Sequence, residues 1–243
     1  MTSDEQSGTD DNQPRWQILD RVERRVVGVL VEKAKTTPDN YPLTLNSLLN
    51  GANQKSNRFP QMQLDEEHVF DALERLRKYG AVAEVQGDSR AAKFRHLAYD
   101  WLGVDKHELA VMAELLLRGA QTLGELRGRA ARMEKIPGIS DLRPIVDSLY
   151  AKQLIVYLTP PGRGCIVTHA LYQEQELEKL RAEHGNQEVN VPVATPTPVA
   201  SSQPVAAPNN DDVAELRAEV VELRDKVGRL EDEIEQLKAS LGV

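Results

Sequence analysis

The side chains that could perform catalysis or bind a metal are few and scattered along this chain of 243 residues. No two of the five histidines are spaced as ligands on one helical turn, and the single cysteine, Cys165, excludes an intramolecular disulfide and a cysteine-based zinc site. The sequence contains no HExxH, paired-cysteine, phosphate-binding glycine-loop or GxSxG motif. The acidic run Asp65-Glu66-Glu67 could be a metal cluster, but a helix N-cap followed by acidic first-turn residues explains it more simply. The sequence therefore predicts a protein that is not an enzyme and that uses no cofactor and no metal.

Basic side chains are the second kind of residue with possible chemistry, because lysine and arginine bind nucleic-acid phosphates. The candidates lie in a polar link before a predicted helix, in two predicted strand loops and on a short helix of the second half: Lys55, Arg58, Arg90, Lys93, Arg95, Arg127, Arg129, Arg132 and Arg163. Phosphate contacts of this kind supply affinity without reading sequence. The link, residues 53–58, is equally well explained as a structural turn whose side chains bind local backbone, and arginines on a short surface helix are often merely solvated.

The distribution of charge is compatible with nucleic acid but does not require it. The formal net charge is −8, yet residues 15–169 carry 23 basic and 19 acidic residues, so the excess of acid lies in the two ends of the chain. Residues 1–13 are polar and acidic, and the longest apolar run, residues 26–31, contains Gly28 and is too short to cross a bilayer. These features predict a cytoplasmic protein with no membrane partner.

Three helices followed by two short strands are predicted in the first half of the chain. Apolar residues recur at helical spacing from Gln17 onward, and that helix must end before Pro38. A second helix is predicted from Thr44 to about Ala52, and a third is predicted to begin at Asp65 as its N-cap. Residues 81–85 and 93–97 are predicted strands around a Gly-Asp-Ser turn.

The same order of elements recurs in the second half, which indicates an internal repeat. Helices are predicted to open at Asp105, Thr122 and Asp141, and Pro144 would then fall in a first turn, where proline is tolerated. Residues 154–158 and 165–168 are the predicted strands, with Cys165 as a small apolar packing residue. The predicted fold class is mainly α with small β-ribbons (α+β), as two tandem winged-helix domains over residues 15–100 and 101–171.

The ends of the chain are predicted to differ from this core. Residues 1–14 form an acidic disordered leader, residues 172–185 a charged helix, residues 186–210 a Pro-rich linker, and residues 211–243 a coiled coil. Apolar residues alternate at spacings of three and four along the coiled-coil seam: Val213, Leu216, Val220, Leu223, Val227, Leu230, Ile234, Leu237 and Leu241. β-Branched residues at one seam position, leucine at the other and opposite flanking charges favour a parallel homodimer. The alternative is one amphipathic helix that folds onto its own domain.

Several motifs of the sequence resemble those of the YceH-like family of bacterial proteins. The matching segments run in order through residues 16–170: Thr37-Pro38, Tyr41-Pro42-Leu43, residues 53–58, residues 115–122, Gly124-Glu125-Leu126-Arg127 and Arg129-Ala130-Ala131-Arg132-Met133. The resemblance implies two winged-helix units and often a C-terminal heptad segment. It implies no biochemical activity, so the function rests on the residues themselves.

Two functions are compatible with these residues. The first is a dimeric protein that binds DNA through wings and links, in transcription or chromosome organisation. It would not read bases with the helices that a winged-helix fold presents, because the helix after Asp65 begins with carboxylates, which phosphates repel. The second is a non-enzymatic scaffold that binds other proteins through the acidic helix face and the coiled coil.

Overall fold

The computed structural model describes residues 15–85, 91–162 and 164–185, and these residues belong to one compact unit. The leader, the Pro-rich linker, the coiled-coil segment and the candidates Arg90 and Arg163 lie outside the described residues. The heptad seam and the parallel dimer therefore stay predictions.

Among the described residues of 21–102, the first repeat contains four α-helices and three short strands. In chain order they are α1 (Arg21–Thr36), a 3-10 turn (Pro38–Asn40), β1 (Leu43–Thr44), α2 (Leu45–Ala52), α3 (Glu66–Lys78), β2 (Val82–Val85), β3 (Lys93–His96) and α4 (Ala98–Leu102). Strands β2 and β3 form an antiparallel hairpin, and β1 pairs with the other edge of β3. The expected two-stranded ribbon is thus a three-stranded sheet in the order β1-β3-β2.

The second repeat has the same order and the same strand pairing. Its elements are α5 (Lys106–Arg118), β4 (Gln121–Thr122), α6 (Leu123–Ala130), α7 (Ile139–Ala151), β5 (Ile155–Tyr157) and β6 (Ile166–His169), and α8 (Glu174–Gly185) follows. The sheet order is β4-β6-β5. The register matches as well, because Thr44 pairs with Lys93 in the first sheet and Thr122 pairs with Ile166 in the second. Each position of β6 therefore has an equivalent in β3.

Side-chain caps fix where the helices begin. Asp20 accepts hydrogen bonds from the backbone N–H groups of Val22 and Glu23, and the Glu23 carboxylate accepts one from the N–H of Asp20 at 2.7 Å. This capping box recurs at α5 with Asp105 and Glu108. The N-caps expected from the sequence at Asp65 and Thr122 are confirmed, and Thr44, expected only as the approximate start of the second helix, is the N-cap of α2.

Two helix starts differ from the sequence expectation. Helix α1 begins at Arg21 rather than Gln17, because Asp20 takes the extended backbone of an N-cap. Helix α7 begins at Ile139, where Asp141 is the third residue and its carboxylate accepts from the N–H of Gly138 at 3.0 Å. Pro144 is therefore the sixth residue of α7, so its expected place in a first turn is wrong.

Helices α1 and α5 pack against each other at the centre, and a single cluster of buried apolar side chains runs through both repeats. Gly28 of α1 marks a close approach, because a Cβ there would lie 2.9 Å from Cγ and Cδ2 of Leu117 on α5. Cys165 is buried in this core, as expected for a packing residue. The mainly helical α+β class with two small antiparallel sheets is confirmed. Within the described residues, no helix is both long and apolar enough to cross a bilayer.

Candidate nucleic-acid interface

The link between α2 and α3 is the first place where phosphate contacts were expected, and its arginine is buried. The Arg58 guanidinium binds both carboxylate oxygens of Glu32, at 2.5 and 3.2 Å, and its Nε donates to the carbonyl of Gly51 at 3.0 Å. The Arg58 side chain is 0% exposed. Because its guanidinium is buried and paired with Glu32, Arg58 is not available to a phosphate. This corrects its prediction as a phosphate-contact residue.

The rest of this link is mainly structural. The Asn53 side chain donates to the carbonyl of Leu64 and accepts from the N–H of Leu64, both at 2.8 Å, so it holds the two ends of the link together. Asn57 adopts a left-handed backbone, with φ of 59°, and its side-chain oxygen accepts from Arg118 of the second repeat. Lys55 is exposed and remains a candidate contact. These bonds favour the structural-turn interpretation for the side chains of Asn53, Gln54, Asn57 and Arg58.

A buried ionic cluster joins the two repeats and engages a second candidate. Arg132 reaches Glu32 at 2.7 Å and Glu114 of α5 at 3.2 Å. Arg118 lies 3.0 Å from Glu114 through its Nε, whose N–H does not point along this line, so the contact is an ion pair rather than a hydrogen bond. Both carboxylates are almost fully buried. The Arg132 side chain is 30% exposed, but its charge is already shared between two acids.

The two buried carboxylates respond differently to that environment. Burial alone would raise the pKa of Glu32, but the hydrogen bond and charge of Arg58, together with Arg132, outweigh it and lower the pKa below the ordinary value of 4.5. Burial raises the pKa of Glu114, because the opposing charges of Arg132 and Arg118 do not compensate for lost solvation. The two pKa values shift in opposite directions because Glu32 has the hydrogen bond and charge of Arg58 and Glu114 does not.

The candidates on α6 are only partly free. Arg129 donates to the side chain of Gln121 at 2.7 Å and to Glu125 at 3.2 Å. Arg127 is half-buried and makes no ion pair within the described residues. The second repeat thus presents Arg127 as its uncommitted cation on this helix, whereas Arg129 and Arg132 serve neighbouring acids.

Strand β3 of the first repeat carries two cations on one face. Residues alternate across a strand, so Lys93 and Arg95 point away from the core while Phe94, 4% exposed, points into it. Arg95 is exposed and Lys93 half-buried. The strand's last residue, His96, adds no charge near neutral pH, since burial, with Lys35 and Arg95, lowers its pKa to about 4. The face is cationic through Lys93 and Arg95 alone.

Lys93 also lines a polar cleft of about 570 Å³ beside the N-terminus of α2. Lys33, from the last turn of α1, lines the same cleft, and one carboxylate, Asp39, is present. Neutral hydrogen-bonding side chains also line the cleft: Thr37, Asn40, Thr44, Ser47, Asn50 and Gln54. Two lysines from distant parts of the sequence therefore meet at one surface. The sequence reading missed Lys33, whose only local signal is that it follows Glu32 on the edge of the buried face of α1.

The exposed face of the first half of α3 has the opposite charge. Glu66, Glu67 and Asp71 are exposed there, as expected from the sequence, and they are near neighbours in the helix of Phe70, which is 48% exposed. No group of three or more histidine, cysteine or acidic side chains in the described residues could hold a metal ion. The acidic residues that open α3 act there as cap and first-turn charges, with Asp65 accepting from the N–H of His68.

Residues 19–163, which include both repeats up to the hairpin of the second, match the family described as "Protein of unknown function, DUF480". The chain belongs to this family. A UPF0502 protein of Rhodopirellula baltica is 46% identical over 217 residues, covering 89% of this chain and 91% of that protein. A UPF0502 protein of Geotalea uraniireducens is 41% identical, covering 83% and 88%, and one of Koribacter versatilis is 38% identical, covering 84% and 89%. The membership confirms the resemblance that the sequence motifs indicated.

Proposed function

We propose that this protein binds duplex DNA as a homodimer of tandem winged-helix chains, mainly through phosphates and with little preference for sequence. The observation that carries the proposal is the convergence of Lys33 and Lys93 on one cleft at the N-terminus of α2, beside Arg95 on the same face of β3. Lysine side chains, neutral hydroxyl and amide groups and the positive end of a helix dipole are the groups that bind phosphate oxygens.

The topology supports the winged-helix part of the proposal. A helix, a short strand, two helices and a hairpin, with the short strand added to the hairpin, follow one another in each repeat. In this interpretation α3 and α7 are the presented helices, and the loop between β2 and β3, which contains Arg90, is the first wing. Lys93 and Arg95 then lie at the base of that wing, where winged-helix proteins touch the DNA backbone.

The acidic face of α3 argues for backbone contact rather than base reading. Carboxylates are repelled by phosphates, and only cytosine offers them a donor in the major groove. Glu66, Glu67 and Asp71 occupy the exposed face of the helix that would have to enter the groove. The proposed complex therefore keeps α3 outside the groove and places the cationic face of β3 against the backbone.

The dimer part of the proposal rests on the heptads of residues 213–241. Two linked copies bind a long duplex more tightly than one, because the second copy searches from a tethered position at high effective concentration. Removal of residues 211–243 should give a monomer in light scattering and should weaken DNA binding more than any single lysine change. If the truncated protein stays dimeric, the dimer contact lies within residues 1–210.

The test is a fluorescence-anisotropy titration of the full-length protein on random-sequence and fixed-sequence duplexes at three salt concentrations. We expect Kd values of about 10⁻⁴–10⁻⁶ M near physiological salt, similar for all sequences and rising steeply with salt. A failure of the full-length protein to bind at the lowest salt would contradict the proposal.

A protein-interaction scaffold is the second candidate, and exposed Phe70 within the acidic face of α3 favours it. An exposed aromatic side chain can anchor a partner, and the neighbouring carboxylates would favour a basic one by charge complementarity. A nuclease-resistant partner pulled down from cell extract by the wild type and by Phe59→Asp, but not by Phe70→Asp, would support this function. Phe59 is the matched control, since it is 71% exposed and lies outside α3.

A further inference from the structure

A pocket of about 490 Å³ lies among α1, the link before α3, the turn after α5, the end of β6 and α8. Its volume is within the range of about 300–1,000 Å³ that is usual for small-molecule sites. Apolar side chains make much of its surface, and they come from three separate segments of the chain: Phe59, Met62, Leu116 and Leu180. An apolar ligand body could replace water against these groups with a gain in free energy.

The charged groups of the pocket favour an anion. Five cationic side chains and two carboxylates line it. Three of the cations already have partners, because Arg24 pairs with Glu176 of the same pocket at 2.8 Å, Arg25 donates to backbone carbonyls, and Arg118 pairs with Glu114. Arg21 and Lys179 are exposed and make no ion pair within the described residues, and Glu183 is the exposed carboxylate beside them. The uncommitted charge at the mouth is therefore positive.

A buried, neutral histidine also lines this pocket. His169 lines the pocket and is 1% exposed, and its ring stacks on Tyr172 with 3.9 Å between centroids. Its Nδ1 accepts from the N–H of Leu171 at 3.2 Å, so the proton of the neutral ring is on Nε2. Burial, with the nearby charge of Arg24, holds its pKa well below the ordinary value of 6.5, so the ring stays neutral near pH 7.

We propose that this pocket binds a small organic anion with an apolar body, such as a medium-chain carboxylate. The apolar body packs against Phe59, Met62 and Leu180, and the anionic group lies at the mouth near Arg21 and Lys179. The site is separate from the cleft of Lys33 and Lys93, since the two share no lining residue. Its occupation does not depend on DNA binding.

The ligand class is tested by isothermal titration calorimetry of the full-length protein with sodium decanoate below its micelle concentration, at pH 7. Decyltrimethylammonium and decanol are the probes with the same chain and a positive or neutral head. We expect saturable binding of decanoate with one site per chain. Binding of decanol should be weaker by up to about fivefold for each charge pair lost, since an exposed pair contributes up to about 1 kcal/mol, and binding of decyltrimethylammonium should be weaker still, because its head is repelled. Absence of saturable decanoate binding, or equal binding of all three probes, would overturn the proposal.

The location is tested with two matched pairs of variants. Arg21→Glu should weaken decanoate binding by about fivefold or more, because it replaces an attraction by a repulsion, whereas Arg143→Glu should leave it unchanged. Both arginines are exposed, and Arg21 is the first residue of α1, where an acidic residue suits the helix dipole, so the fold is preserved. Phe59→Ala should likewise weaken binding, and Phe70→Ala should not. Equal effects within either pair would show that decanoate does not bind in this pocket.

Discussion

The two repeats share one topology, but the equivalent glutamates Glu32 and Glu114 have different arginine partners. Glu32 and Glu114 each lie four residues before the end of the first helix of their repeat, and both are buried. In the first repeat the following link supplies Arg58, which is 0% exposed, as the partner of Glu32. In the second repeat the segment after α6 supplies Arg132, which is partly exposed and shared between both acids. One fold thus neutralises equivalent carboxylates in two ways.

The sheets differ in the same manner. Lys93 and Arg95 of β3 correspond in register to Ile166 and Thr168 of β6. Thr168 is 0% exposed, and its hydroxyl lies 3.4 Å from that of Tyr172, so the chain after β6 covers this face. The equivalent face of the first repeat is open and cationic. The comparison indicates that the first repeat is free to contact a partner at Arg95, while the second uses the equivalent position, Thr168, for packing; Lys93 and Ile166 are both half-buried.

Replacing Glu32 or Glu114 by glutamine should have the largest effect on the free energy of unfolding, and the effect should differ strongly between the two. Glu32→Gln leaves the buried Arg58 guanidinium without its counter-charge, and we expect a loss of about 3–5 kcal/mol in the free energy of unfolding. Glu114→Gln should change it by no more than about 1 kcal/mol, because burial already opposes the Glu114 charge and its arginine partners can be solvated. Urea unfolding at pH 7 measures both. Equal losses would mean that Arg58 does not distinguish the repeats.

The contact between α1 and α5 should be the next most sensitive feature. Gly28→Val adds atoms where a Cβ already comes within 2.9 Å of Leu117, and we expect a loss of about 1–3 kcal/mol from overpacking. Gly128→Ala is the control within α6, since nothing lies within 4 Å of its would-be Cβ. This change should stabilise by about 0.5–1 kcal/mol through helix propensity. A Gly28→Val variant as stable as the wild type would show that the two repeats separate more easily than the packing of α1 against α5 indicates.

The pH dependence of stability should have opposite signs for the two carboxylates. The folded-state pKa of Glu32 is lowered, so its contribution is present above pH 4.5 and is lost as pH falls through the folded value. The folded-state pKa of Glu114 is raised, so the folded protein takes up this proton first, and stability rises as pH falls from the folded value toward 4.5.

These signs are read from differences between the wild type and the variant at each pH. As pH falls, the wild type should lose stability relative to Glu32→Gln and gain it relative to Glu114→Gln, by at most about 1.4 kcal/mol per pH unit for one proton. Urea unfolding from pH 7 to 3.5 gives both differences. Slopes of the same sign would contradict the assigned environments.

The sequence predicted those parts of the fold that local chemistry determines. Asp65 and Thr122 are correctly predicted N-caps, because a short polar side chain before an apolar helical pattern can satisfy free backbone N–H groups wherever it occurs. Strands β1 and β4 were not predicted, since two residues carry no periodicity. The predicted start of α7 at Asp141 is two residues too late, because Asp141 is the third residue of the helix and its carboxylate accepts from the N–H of Gly138.

The candidate site was harder to predict, because it depends on contacts between distant residues. Arg58 lies in a polar run and was assigned to the surface, yet its partner Glu32 lies 26 residues earlier. Lys33 and Lys93 line the same cleft because β3 pairs with β1. A single sequence contains no direct signal for either contact, whereas the outward alternation of Lys93 and Arg95 follows from the period of a strand.

The central claim, that the first repeat holds DNA phosphates, is tested most directly by giving it the side chains of the second. The double variant Lys93→Ile with Arg95→Thr places the residues of β6 at the equivalent positions of β3. If both cations neutralise phosphates, the slope of log K against log salt should flatten by about two units for each protomer bound to the duplex. The control, Lys78→Ala with Arg143→Ala, removes the same charge from exposed positions of α3 and α7 and should leave the slope unchanged. An unaltered slope in the first variant, or equal flattening in both, would contradict the account.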